Sequence, residues 1–368
     1  MFITNSPTLN PLTAIKAFFP NKLITHDRLR YFSLAREALI TAIESIKYNN
    51  HTTEASTIWV PAFICDTVIN ILKEHSVNFK YYKVTKDLVP DFKRLETEKI
   101  VSNDIFLLVN YFGFSICQKK ALDFCKNKKI FLIEDSAHSV VRKIGENEVG
   151  TGADAIVFGL RKTFPVPNGG ALFLKHGDFI SPTKISSNSS EYRGVMKMIV
   201  QWLFLKVGLS WNISVKHIKK GNYPVTSDKY CRLDQKKTFL HWSQKIMSVT
   251  DADKVFIRRR ENFKLLHTKL SRNKSIRIPI FLSLTLENTE AVPWTFFFYH
   301  KESERLINLL IDNGVSASYW PTLPKDIFNN PDWPTENTMY RDGICLPIHQ
   351  DVSKFQVNKM VQLVLDHA

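Results

Sequence analysis

Two short segments hold side chains that could work together as a reaction centre. The first, IEDSAHS at 133–139, sets Glu134, Asp135 and His138 directly behind an apolar run. The second, FGLRKTFPVPNGGALFL at 158–174, carries Lys162 in a loop stiffened by Pro165 and Pro167 and closed by Gly169 and Gly170. A carboxylate can hold a proton on a ring nitrogen, and a lysine amine can add to a carbonyl carbon to form an imine. Taken singly, each residue has an ordinary explanation. An Asp at a strand end often caps the next helix, a solitary His is usually structural, and a loop Lys is usually a surface cation. The pairing of acid and amine behind two separate apolar runs points to chemistry.

Those runs sit in a regular alternation. Helix-like REALITAIESI (36–46), DTVINILKEHS (66–76) and QKKALDFCKNKK (118–129) are interleaved with strand-like TIWVPAF (57–63), NFKYYKV (78–84), DIFLLVNYF (104–112), KIFLIED (129–135), DAIVFGL (154–160) and GGALFLK (169–175). This spacing predicts an α/β fold whose sheet is largely parallel and covered on both faces, because its strands are continuously apolar rather than alternating. Ligands collect at the carboxyl ends of such strands, which puts Phe63, Tyr111, Asp135 and Leu160 along one rim. Beyond residue 176 a polar connector and a long basic helical stretch (236–271) lead to strand-like VPWTFFFYH (292–300), helix-like ESERLINLLIDNG (302–314), strand-like VSASYW (315–320) and a final helix near 353–366. The expected division is a large domain over 1–240 and a smaller α/β domain over 241–368.

Composition narrows the partners. The 368 residues are 44% hydrophobic and carry a net charge of +15, enough apolar material for a buried core and a surplus that welcomes anions. The basic runs Lys216, Lys219, Lys220 and Arg258, Arg259, Arg260 read as solvated helix faces, and no nucleic-acid-binding signature accompanies them. Five widely spaced cysteines without a CxxC pair fit free thiols and provide no metal site. The N-terminus lacks the pattern of a secretory signal, so a cytoplasmic protein is expected. The apolar stretch 196–215 approaches the length of a membrane span, but Lys197, Lys206 and Asn212 interrupt it, favouring a buried or amphipathic helix.

The motifs AREAL (35–39), VPAFICDTV (60–68), VNYFGF (109–114), IEDSAHS, VGTGADAIVFGLRKTFPVPNGGAL (149–172) and LPIHQ (346–350) resemble those of the DegT/DnrJ/StrS sugar aminotransferases, fold-type I enzymes dependent on pyridoxal 5′-phosphate (PLP). The resemblance implies a large domain with a mostly parallel mixed sheet between helices, followed by a smaller C-terminal α/β domain. It implies that Lys162 is the Schiff-base and proton-shuttling residue, that Asp135 pairs with the pyridine nitrogen, and that His138 lies near the cofactor's 3-oxygen. The helix start at Ala35 and Arg36 is where the family binds the phosphate; Phe63 is the candidate for stacking on the ring. Trp320 and His349 fall in segments resembling the substrate mouth, and Asn222 resembles an Asn that reaches the partner subunit's cofactor. Two positions depart from the pattern: Cys65 stands where relatives have an aromatic, and Gly159 where they often have a phosphate-binding serine.

By that resemblance the chain transfers an amino group from an amino-acid donor, L-glutamate, to a nucleotide-linked keto-sugar, for surface polysaccharide or secondary-metabolite amino-sugar synthesis. The implied assembly is a homodimer with shared active sites. Two rivals stand beside this reading. One is a PLP- or pyridoxamine-phosphate-dependent sugar dehydratase, against which Lys162 argues because that reaction is favoured when histidine replaces the lysine. The other is a non-catalytic PLP-binding homologue with a regulatory role.

Overall fold

The computed structural model describes residues 2–19, 26–51, 56–139, 152–180, 188–209, 241–282 and 291–368. Seven strands form the main sheet: β1 (Leu29–Phe32), β2 (Ile58–Pro61), β3 (Phe79–Tyr82), β4 (Ile105–Val109), β5 (Phe131–Ser136), β6 (Ala155–Phe158) and β7 (Gly170–Leu174). Their spatial order is β1-β7-β6-β5-β4-β2-β3. β3, β2, β4, β5 and β6 run parallel, while β7 lies antiparallel to both β6 and β1. Every residue of β2, β4 and β6 is buried, as their unbroken apolar runs require of a sheet covered on both faces. β1 had no counterpart in the sequence pattern; with only Leu29 and Phe32 buried, four edge residues carry too little periodicity to be recognised.

Helices in the first part are α1 (Pro11–Lys16), α2 (Ala35–Asn49), α3 (Asp66–Glu74), α4 (Phe92–Leu95), α5 (Gln118–Lys128) and α6 (Asn188–Lys206). α2 lies across β6 and β7 and buries nine of its fifteen residues. No described helix is long and apolar enough to cross a membrane. The apolar stretch at 196–209 is the half-exposed second half of α6 and its exit, and residues 210–215 lie outside the described residues. Basic Lys216, Lys219 and Lys220 also lie outside them.

The later helices are α7 (His241–Val249), α8 (Ala252–Leu270), α9 (Ser303–Asp312), α10 (Pro334–Asp342) and α11 (Lys354–His367), beside a two-stranded antiparallel sheet of β8 (Thr295–Tyr299) and β9 (Gly343–Pro347). The expected strand VSASYW differs: Val315 and Ser318 make only isolated bridges, to Ile3 and Cys345. Pro321, which lacks an N–H, follows directly, and the segment ties the N-terminus to β9 instead of extending a ladder. Arg259 corrects the expectation of a solvated basic face. It is fully buried because helical spacing aligns it with Val255, Phe256, Asn262, Phe263 and Leu266 on the inward stripe of α8.

Candidate functional site

A cavity of about 600 Å³ opens where the carboxyl ends of β4, β5 and β6 meet the start of α2. Strand alternation decides which acid reaches it. Glu134 faces away, where its carboxylate accepts from Asn110 (3.0 Å) and Gln118 (2.7 Å), whereas Asp135, one residue on, lines the cavity. Asp135 Oδ1 accepts from the Ala137 N–H at 2.9 Å, which fixes the carboxylate plane. Burial raises its pKa, while that hydrogen bond and the nearby Lys162 ammonium pull it down.

Lys162 reaches the same cavity from the short 3₁₀ turn Leu160–Lys162. The loop that carries it is pinched shut by the Leu160 N–H to Gly169 O bond (3.0 Å). Its ammonium lies 4.7 Å from the centroid of the Trp294 ring. Burial lowers the lysine pKa to about 8, with Arg161 pushing the same way and Asp135 and Cys65 opposing. An amine with that pKa is neutral roughly 300-fold more often at pH 7 than an ordinary lysine, which is what attack on a carbonyl carbon requires.

His138 is buried between aromatic rings, stacked on Trp294 at 4.3 Å and edge-on to Trp320 at 4.7 Å. Its Nδ1 accepts the Phe112 N–H at 3.0 Å, so the ring carries its proton on Nε2. Burial, and secondarily Lys162, lowers its pKa well below the usual value and keeps the imidazole neutral. Phe112 adopts φ 57°, an unfavourable conformation for a bulky residue, and the strain aims its N–H at His138. Gly113 follows with φ 95°; a Cβ there would lie 2.3 Å from Val292 O, so only glycine lets this turn pack against the segment leading to Trp294.

The third wall is the start of α2. Leu34 at the N-cap brings no side-chain acceptor to the first turn, and Leu34, Ala35 and Arg36 all line the cavity. Such a helix start presents N–H donors and the positive end of the helix dipole. Gly170 allows β7 to run against it, since a Cβ at Gly170 would sit 2.5 Å from Ala35 N. Gly159 is equally constrained: its Cβ would lie 2.3 Å from Ala137 O, so no serine fits there without moving backbone. Arg36 and Arg161 line the cavity and add positive charge around that helix start.

The structure thus brings Lys162, Asp135, His138, Ala35, Arg36 and Trp320 to one cavity. It does not bring Phe63 or His349 there. Phe63 is fully buried behind Trp320, with its own carbonyl held by the Tyr111 hydroxyl at 2.7 Å, and Ile64 and Cys65 are the residues of that turn that reach the cavity. His349 is held by Thr4 O at 2.9 Å and belongs to the packing of the N-terminal segment. Asn222 lies outside the described residues. Trp294 went unrecognised in the sequence because an aromatic at the head of an apolar strand looks like core; its only local mark is the Pro293 that sets it before the strand proper.

Solved structures resemble the chain over nearly its whole length. Helicobacter pylori PseC, an aminotransferase involved in the biosynthesis of pseudoaminic acid, is 15% identical, with 99% of this chain and 98% of that chain covered and a TM-score of 0.67. A DegT DnrJ EryC1 StrS aminotransferase from Brucella abortus is 12% identical, with coverages of 92% and 85% and a TM-score of 0.60. Spr1654 from Streptococcus pneumoniae, in its PLP-form, is 14% identical, with coverages of 98% and 97% and a TM-score of 0.65. No family model matches the chain, and no curated protein matches it. At these identities the likeness is one of fold: the mixed, mostly parallel seven-stranded sheet and its helices match those of these aminotransferase structures.

Proposed function

We propose that this chain is a PLP-dependent aminotransferase that moves an amino group from an amino-acid donor, L-glutamate, to a nucleotide-linked keto-sugar. The observation that carries the reading is the shared cavity of Lys162 and Asp135, in which burial keeps the amine partly neutral while the carboxylate is held in a fixed plane. The residues present fit PLP. Asp135 would hold the proton on its ring nitrogen, the Nε2–H of neutral His138 would serve its 3-oxygen, and the start of α2 with Arg36 and Arg161 would take its phosphate in place of a serine at Gly159.

When bound, PLP supplies an electron sink for carbanion chemistry. Lys162 Nζ would hold it and would move the proton at the donor's α-carbon. Trp294 and Trp320 wall the cavity, keep water from that amine and offer ring faces to a sugar. The anionic substrate class accords with the chain's surplus of +15, and amino-group transfer accords with the fold shared with PseC, an aminotransferase involved in pseudoaminic acid biosynthesis. The reading takes residues 1–240 as the cofactor-binding domain and 241–368 as the smaller one, in a cytoplasmic homodimer with shared sites.

Reconstitution with PLP tests it. A lysine-imine absorbance band that L-glutamate bleaches is the expected result, followed by product mass from a panel of 3-keto and 4-keto nucleotide sugars. No band would overturn the cofactor assignment, and a band that no amino donor alters would make the protein a PLP binder without transaminase activity.

A further inference from the structure

The guanidinium of Arg259 is fully buried, yet each of its N–H groups has an acceptor. Nε donates to Gln350 Oε1 (3.1 Å), Nη1 to the carbonyls of Pro293 (3.3 Å) and Trp294 (3.2 Å), and Nη2 to the carbonyls of Lys162 (2.9 Å) and Thr163 (3.2 Å). Five donors meet five acceptors, the full capacity of the side chain. Gln350 closes the ring, its Nε2 donating to Thr163 O at 3.1 Å while its Oε1 receives Arg259. The acceptors come from three distant parts of the chain: the Lys162 loop, the lead-in to β8 and the turn after β9. Four of the five are main-chain carbonyls, so the arginine grips backbone and not another side chain.

We infer that Arg259, with Gln350, is a positioning residue that fixes the Lys162 amine in the cavity by clamping the backbone of Lys162 and of Trp294 together. Both ends of the contact between the Lys162 ammonium and the Trp294 ring are thereby held by one planar cation. A flexible ammonium in its place could not span three sets of carbonyls, because its donors radiate from a single atom. Burying a cation without a hydrogen-bonded carboxylate is costly, which a packing role alone would not require. The inference rests on Lys162 being the imine-forming residue of the proposed function.

The test reads the amine directly, on protein without cofactor, so it stays readable whether or not PLP binds. Lys162 is reductively methylated with formaldehyde and cyanoborohydride across a pH series, and the labelled peptide is quantified by mass. Burial sets its titration first, with Asp135, Arg161 and Cys65 around it, and neutral His138 faces the same cavity. Wild-type labelling should have its midpoint near pH 8. In Arg259→Lys the loosened loop admits water, and the midpoint should rise by about one unit, a tenfold lower neutral fraction near pH 7. Gln350→Ala, which keeps the guanidinium but removes the contact to Thr163 O and the acceptor of Arg259 Nε, should shift it the same way by less. An unchanged midpoint in Gln350→Ala and in any folded Arg259→Lys protein overturns the inference. Should Arg259→Lys not fold, the Gln350→Ala result alone decides.

Discussion

His138 and His349 are both almost wholly buried, and burial lowers the pKa of each, yet they differ in what their second ring nitrogen meets. In His349 both nitrogens are engaged with structure. Nε2 is 2.9 Å from Thr4 O, and Nδ1 faces the Asp351 N–H at 3.4 Å, while the Asp351 carboxylate accepts from Thr8 N and Thr8 Oγ1. Together they fasten residues 4–8 to the turn after β9. Among the described residues only the Nδ1 of His138 is engaged, by Phe112, and the ring lines the cavity that Lys162 and Asp135 share. A depressed histidine pKa therefore marks burial in both cases. What separates the two histidines, among the described residues, is a proton fixed on the His138 nitrogen that the fold does not hydrogen-bond.

The sharpest way to break that contrast is to remove the groups that share the cavity with His138. Lys162→Met should abolish the imine band and lower transamination by at least ~10³-fold, and Asp135→Asn should retain PLP but slow turnover by ~10²-fold or more. Wild-type turnover in Asp135→Asn would remove its assigned role. The lysine also has a signature in stability. Its folded pKa of about 8 lies below the ordinary 10.5, so the unfolded chain binds more protons between those values and stability rises with pH across them. Lys162→Met lacks this group. Its stability advantage over cofactor-free wild type should be greatest below pH 8 and fade by pH 10.5, as followed by urea unfolding.

Next in size is the exchange of each histidine. His349→Leu should lower unfolding stability by ~1–3 kcal/mol, because Thr4 and Asp351 lose buried partners, while leaving kcat within about twofold. His138→Leu also strands the Phe112 N–H and so costs stability, but it alone should weaken PLP affinity, by about tenfold for one lost hydrogen bond. Equal loss of PLP affinity in the two variants, measured by equilibrium titration, would erase the distinction.

Much of this arrangement was legible in the sequence, for a definite reason. Continuous apolar runs located the strands, and parallel strands put Asp135 and Lys162 at one rim, so local pattern and topology sufficed for the two residues at the centre. Phe63 and His349 were misassigned because which way a side chain turns beyond a strand end depends on packing partners far away, Tyr111 and Trp320 for one, Thr4 for the other. Arg259 was hidden differently. Its neighbours Arg258 and Arg260 made it look like a charged face, although the spacing of Val255, Asn262, Phe263 and Leu266 already placed it on the apolar stripe. Trp294 reaches Lys162 across more than a hundred residues of sequence, a contact no local pattern encodes.

The smallest expected effect separates Phe63, the aromatic expected at the cavity, from Trp294, the one that lines it. Phe63 backs Trp320 from within the core, so Phe63→Leu should cost ~1 kcal/mol of stability and leave the Lys162 titration midpoint in place. Trp294 touches the lysine itself, and a ring face favours the charged form of an ammonium 4.7 Å away. Trp294→Phe keeps most of the volume but offers a weaker face, so the midpoint should fall by a few tenths of a unit, the direction opposite to that expected for Arg259→Lys. The sign carries the information. A rise in Trp294→Phe would mean that the ring acts by excluding water and not by its charge distribution, and a shift of the same size in Phe63→Leu would mean that the lysine senses general packing and not the ring beneath it.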